Sequence, residues 1–118
     1  MIDGHIHYIE YMGADRLNQI VEEYHYDGIA LQCIPDSAGR ESLEDAFHYR
    51  EQCPVPVYIF GGIRRALYEL SEQELKSALV QEVQSLMKKD CTGIKMLEGK
   101  PKVRKYYPIP DFDQPVWE

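Results

Sequence analysis

The residues best equipped for chemistry stand at the start of the chain, where Ile2-Asp3-Gly4-His5-Ile6-His7 sets two imidazoles two positions apart. On a strand, positions i and i+2 face the same side, with Cα atoms roughly 6.5–7 Å apart. Two neutral ring nitrogens at that spacing can converge on one divalent ion beyond the strand end. Imidazole suits zinc, and also iron, nickel or copper, so the pair alone leaves the metal's identity open. The alternative is that two polar residues end a strand and bind nothing.

Other candidates are more ambiguous. Tyr8, Glu10 and Tyr11 follow the pair in the first strand-to-helix loop, either as substrate contacts or as ordinary loop polarity. Arg64 and Arg65 come after Gly61-Gly62. There a guanidinium could grip a substrate carboxylate through two parallel hydrogen bonds, or simply open a solvated helix. Asp36 lies in Pro35-Asp36-Ser37, which is good turn chemistry in itself. Lys100, Lys102, Arg104 and Lys105 with Tyr106-Tyr107 make a basic, aromatic loop, read as solvated surface or as the anion-binding rim of a site. His25 and His48 have no partners at ligand spacing. Cys33, Cys53 and Cys91 have no evident base beside them, which argues against a nucleophilic role.

The elements that must position these residues follow from periodicity. Met1 to His7 alternates as a strand, and Leu17, Ile20, Val21 and Tyr24 recur at helical spacing between Asp15 and Tyr26, with the break expected at Asp27-Gly28. Ile29 to Cys33 is a second strand. Leu43, Ala46, Phe47 and Arg50 mark a helix that must stop before Pro54, because the residue preceding proline is pushed out of the α region. Val55 to Phe60 is a third strand. Ser71 and Glu74 then form a capping box, flanked by Leu70 and Leu75 as an apolar staple, ahead of the stripe Leu75, Leu79, Val83, Leu86. Gly93 to Leu97 is a fourth strand. The order βαβαβαβ implies a parallel sheet with right-handed crossovers. A Lys- and Tyr-rich loop follows, and Asp113 to Glu118 reads as a helix beginning capped by Asp113. One turn cannot offset its own nucleation cost, so that helix is expected to be an interruption.

Composition excludes several classes. At 118 residues, 44% hydrophobic and 28% charged, the chain suits one globular domain with its own core. Thirteen Lys and Arg against twenty Asp and Glu give a net charge of -7, which repels phosphate backbones and anionic lipid. Neither nucleic acid nor membrane is an expected partner. Three widely spaced cysteines suggest neither a disulfide framework nor a thiolate metal site, and no secretory leader or 18-residue apolar run is present, so a cytoplasmic setting is expected.

Ile2-Asp3-Gly4-His5-Ile6-His7 on a first strand, with Gly93-Ile94-Lys95-Met96 on a fourth, resembles the amidohydrolase superfamily. The likeness is strongest to its amidohydrolase-related branch of metal-dependent TIM-barrel hydrolases and decarboxylases. The polymerase and histidinol phosphatase family and the TatD-type deoxyribonucleases fit less well in the residues after the pair. The resemblance implies an α/β fold with a partial (β/α)8 TIM barrel: about four parallel βα units, an N-terminal half barrel spanning residues 1–118. It implies that His5 and His7 ligate a catalytic divalent metal ion, usually Zn. It places Lys95 on the inward side of the fourth strand, if Ile94 and Met96 pack outward, as a pocket residue or, when carboxylated, a ligand. The family's later ligands, a His after the fifth strand, often another after the sixth, and the Asp general base after the eighth, have no counterpart here. The expected function is hydrolysis of a small-molecule carbonyl substrate (ester, lactone or amide), weak or absent in this chain alone. The alternatives are a metal-dependent decarboxylase of the same family and a non-catalytic half barrel that assembles as a homodimer or with a partner chain. A folded α/β protein that binds no metal is the plainest reading.

Overall fold

The computed structural model describes residues 1–8, 13–35, 42–111 and 115–117. Four strands, β1 (Ile2–His7), β2 (Gly28–Cys33), β3 (Val57–Gly62) and β4 (Gly93–Lys95), form one sheet. All neighbours pair in parallel, and the strands lie side by side in chain order. Three helices join them: α1 (Gly13–Glu23), α2 (Leu43–Gln52) and α3 (Glu72–Lys88), and a short α4 (Pro101–Tyr106) follows β4. The expected α/β alternation with a parallel sheet is therefore present.

A sheet that grows along one edge through crossovers of one hand carries its connecting helices on one face. Burial agrees with this. Ile29, Leu31 and Cys33 of β2 and Val57 and Ile59 of β3 alternate into one core, which also takes Leu17 and Val21 of α1 and Leu75 and Leu79 of α3. Each such side chain, buried from water, contributes about 1.5–3 kcal/mol. The residues between them, Ala30, Gln32, Tyr58 and Phe60, point to the opposite face and take no part in that core. On this second face the Phe60 ring lies over Gly93, where a Cβ would come within 2.8 Å of it. Bare backbone at 93 is what lets the ring lie there.

The element ends depart from expectation in instructive ways. α1 stops at Glu23 rather than running to Tyr26, because His25 adopts a left-handed conformation (φ 53°) just past its end. Tyr26 N–H then reaches Val21 O at 3.0 Å and His25 N–H reaches Glu22 O at 3.3 Å, the paired bonds of a Schellman cap. α3 ends the same way, with Asp90 left-handed (φ 65°), Cys91 N–H on Leu86 O at 3.1 Å and Asp90 N–H on Met87 O at 3.0 Å. Its start follows the sequence: the Glu74 carboxylate accepts the Ser71 hydroxyl at 2.5 Å and the Ser71 N–H at 3.3 Å. Leu75 is buried, whereas Leu70, its expected staple partner, stays exposed.

β3 begins two residues later than expected and continues through Gly61-Gly62, while β4 stops at Lys95 instead of Leu97. Arg65–Glu69 forms a 3-10 turn that buries Tyr68. The Lys- and Tyr-rich segment expected as loop contains α4, whose Pro101 sits in the first turn, where its missing N–H costs nothing. Near the chain's end Pro115–Trp117 is a 3-10 turn. Val116 is buried there, and Trp117 lies 6.3 Å from Tyr68, ring centre to ring centre. The proposed Asp113 cap lies outside the described residues.

Candidate metal centre

The histidine pair sits at the carboxyl end of β1, on the face opposite the helices. His7 aligns with Gln32 of β2, which points away from the core. Between Asp3 and Ile6 the strand takes three steps while β2 takes two from Ile29 to Leu31, so one extra residue is accommodated as a bulge at Gly4-His5. The imidazoles meet: His5 Nε2 and His7 Nε2 are 3.0 Å apart, with ring centres separated by 4.9 Å.

Two aromatic nitrogen lone pairs that close repel each other unless a proton or a cation lies between them. A tetrahedral zinc site, with Zn–N bonds near 2.0–2.1 Å, would hold two imidazole nitrogens roughly 3.3 Å apart. The observed spacing differs from this by a few tenths of an ångström, well within side-chain adjustment. Lys95 completes the cluster, its Nζ 3.3 Å from His5 Nε2. It arrives there because Lys95 pairs with Gly62 on β3 and alternates with Ile94, which packs against the core. Met96, expected to pack outward too, is largely exposed.

The surroundings are electropositive. Partial desolvation first, then the charges of His5, Lys95 and Lys100, hold the His7 imidazole below its usual 6.5. That direction favours the neutral imidazole, the form a metal ligand requires. Among the described residues, no third His, Cys, Asp or Glu joins the pair. The residues present thus fit two positions of a metal's coordination shell and leave the others to be supplied.

The remaining candidates fall elsewhere. Tyr8 alternates away from His7 into the helix-side core, its ring 6.5 Å from that of Tyr49 on α2. Arg64 is engaged by Glu82 of α3, Nε donating at 2.9 Å and Nη2 at 2.6 Å, and Glu82 is buried. The guanidinium fork expected for a substrate carboxylate is here closed on a carboxylate of the protein itself. Arg65 stacks its guanidinium 5.4 Å from the Tyr107 ring, and Arg104 pairs with Asp111. His25 serves the end of α1, and His48 lines an open groove of about 200 Å³ with Tyr8, Asp45, Tyr49 and Gln52. Glu10, Tyr11 and Asp36 lie outside the described residues.

Sequence reasoning missed two residues around the centre: Asp3, whose carboxylate accepts the His5 N–H at 3.0 Å, and Gln32, beside His7; Lys100, read from the sequence as solvated surface or an anion-binding rim, acts on His7 through its charge. Alternation along β2, in which Gln32 is the polar residue out of step with Ile29, Leu31 and Cys33, was the signal for the second. Comparison of the chain with family models, curated proteins and solved structures returns no match.

Proposed function

We propose that this chain is a metal-binding protein of the amidohydrolase type, built as about four βα units of a TIM-like barrel. His5 and His7 hold a divalent ion, zinc foremost, at the carboxyl end of the sheet. The observation that carries the reading is the 3.0 Å approach of the two Nε2 atoms on a face that also presents Lys95. Parallel α/β sheets bind their ligands at this end. Bound there, the ion supplies Lewis acidity toward the carbonyl of a small ester, lactone or amide.

The chain's own residues do the rest. His5 and His7 orient the ion, and Lys95 and Lys100 place positive charge where an oxyanion or a substrate carboxylate would sit. That charge also favours the second reading, decarboxylation of a carboxylate-bearing substrate. Catalytic zinc usually takes three protein ligands, and a carboxylate base is needed besides. The pair by itself therefore supports weak activity at most. Further ligands would come from a second copy or from a partner chain laid over the sheet face, where Tyr58 is 39% exposed. The three cysteines are free thiols, in keeping with a reducing cytoplasm, and among the described residues no helix is long and apolar enough to cross a membrane.

Elemental analysis of protein prepared without an affinity tag and dialysed against zinc tests the reading. We expect near-stoichiometric metal that is lost in the His5→Ala, His7→Ala double variant. A wild-type chain without metal, or a double variant that retains it, overturns the proposal.

A further inference from the structure

On a regular strand, residues 3, 5 and 7 would share one face, and Asp3 would point the same way as the histidines. It does not. The extra residue at Gly4-His5 brings Asp3 opposite Ile29, whose side chain is in the helix-side core, while His7 stands opposite Gln32 on the other face. A bulge leaves one residue's backbone unpaired and turns a side chain to a new direction. Here the unpaired group is the His5 N–H, and the Asp3 carboxylate accepts it at 3.0 Å. The Tyr26 phenol stands near this carboxylate, just beyond the end of α1, and desolvation together with the Asp3 charge raises its pKa.

We infer that Asp3 is a positioning residue of the histidine pair: by accepting the His5 N–H within the bulge, it fixes the strand geometry that brings His5 Nε2 to within 3.0 Å of His7 Nε2. A Cβ at Gly4 would meet nothing within 4 Å, so packing at that position does not enforce the bulge. The carboxylate does. This inference rests on the metal reading for its consequence, since what the positioning serves is a two-nitrogen site. The geometry it explains does not depend on any metal.

The experiment compares wild type with Asp3→Asn, which keeps an oxygen acceptor of the same reach, and Asp3→Val, which keeps a good strand former and removes the acceptor. Zinc affinity is measured by competition with a chromophoric chelator, and the visible spectrum of the cobalt(II)-loaded chain reports ligand geometry. Loss of a supporting hydrogen bond around a metal ligand typically costs 10- to 100-fold in affinity. Asp3→Val should therefore bind about 10- to 100-fold more weakly with an altered cobalt spectrum, and Asp3→Asn should stay close to wild type. Equal affinity and spectra in Asp3→Val and wild type overturn the inference, as does an Asp3→Asn variant impaired as much as Asp3→Val.

If wild type binds no metal, the metal reading fails, and the positioning inference is decided in the metal-free chain by long-range proton–nitrogen spectra of the two imidazoles. Nε2 shifts that change in Asp3→Val and are retained in Asp3→Asn support it. Shifts unchanged in both overturn it. Should Asp3→Val fail to fold, Asp3→Ala, which also removes the acceptor, takes its place under the same readouts.

Discussion

Lys95 Nζ stands 3.3 Å from His5 Nε2, although 90 positions of chain separate the two residues. Three strand intervals of about 4.8 Å would keep side chains standing upright on a flat sheet roughly 14 Å apart. Contact therefore requires the lysine stem and the imidazole to lean toward each other over a shared face. That face is where a half barrel would have its interior. The lysine also acts on His7, whose imidazole is held below 6.5 by partial desolvation and then by His5, Lys95 and Lys100.

Replacing Lys95 by methionine keeps the stem and removes the charge, so the His7 pKa should move up toward its ordinary value. Proton NMR titration of the histidine ring protons reads this directly; an unmoved His7 in Lys95→Met would show that Lys95 has no electrostatic hold on the site. The sign for stability follows from linkage. As pH falls through 6.5 the unfolded chain takes up the His7 proton before the folded one. The folded state's advantage is complete above 6.5 and shrinks as pH falls from there toward the depressed value of His7. Denaturant midpoints between pH 7.5 and 5 should therefore decline less in Lys95→Met than in wild type.

Gly62 is the register partner of Lys95 and packs against the residues that close β2. A Cβ at this position would stand 2.7 Å from Pro35 Cδ, 3.3 Å from Cys33 O and 3.4 Å from Ile34 Cα. A proline ring and two backbone atoms cannot rotate away as a leucine tip can. Gly62→Ala should cost about 1–3 kcal/mol by overpacking. Because the strand must shift to relieve the clash, the Lys95–His5 contact should loosen as well. Urea unfolding checks the first effect, and the His5 ring shifts check the second; wild-type stability in the variant would mean that the β2 and β3 ends are not packed as described.

Arg64 reads differently in structure than in sequence, and the difference predicts what its loss does. Glu82, 7% exposed at its side chain, accepts the Arg64 backbone N–H at 3.4 Å and takes its shorter hydrogen bonds from the guanidinium, while Arg64 itself is 56% exposed. Removing Arg64 leaves a carboxylate buried without its fork. The cost of such a group, discounted for the solvent that reaches the arginine, is about 1–3 kcal/mol. Arg64→Ala should therefore unfold at clearly lower urea, and Arg64→Lys should recover only part, since an ammonium cannot bridge both oxygens. Metal affinity should be unchanged in both. A loss of metal binding without loss of stability would restore Arg64 to the site.

The strands and the long helices were legible because each has a period that one buried face imposes. Leu17 and Val21, Ile29 and Leu31, Leu75 and Leu79 all entered the core that their spacing implied. The histidine pair and Lys95 were legible for the same reason: i, i+2 spacing on β1, and Lys95 alternating with Ile94 on β4. Tyr8 was not, because a residue one step beyond a strand still obeys its alternation, and His7 facing one way sends Tyr8 the other. Arg64 was not, because its partner Glu82 lies 18 residues on in a helix whose apolar stripe gave no hint of a buried carboxylate. The bulge that aims His5 has no sequence period at all. It depends on one side-chain acceptor at Asp3, a contact that exists only once the strand is folded.

The end of α1 was misjudged for a related reason: glycine is the usual marker of a left-handed terminus, and α1 uses His25 instead, as α3 uses Asp90. A non-glycine residue in that conformation carries about 1 kcal/mol of strain from its Cβ. His25 is exposed, and the Schellman cap it forms uses only its backbone N–H. His25→Gly should keep both cap bonds and relieve the strain, raising stability by about 0.5–1 kcal/mol after glycine's greater unfolded-state entropy is subtracted. His25→Val, whose β-branch fits poorly at positive φ, should lower it by at least as much. Thermal melts of the three chains rank them glycine, histidine, valine if the cap is as described. Any order with valine at or above histidine would place the end of α1 elsewhere.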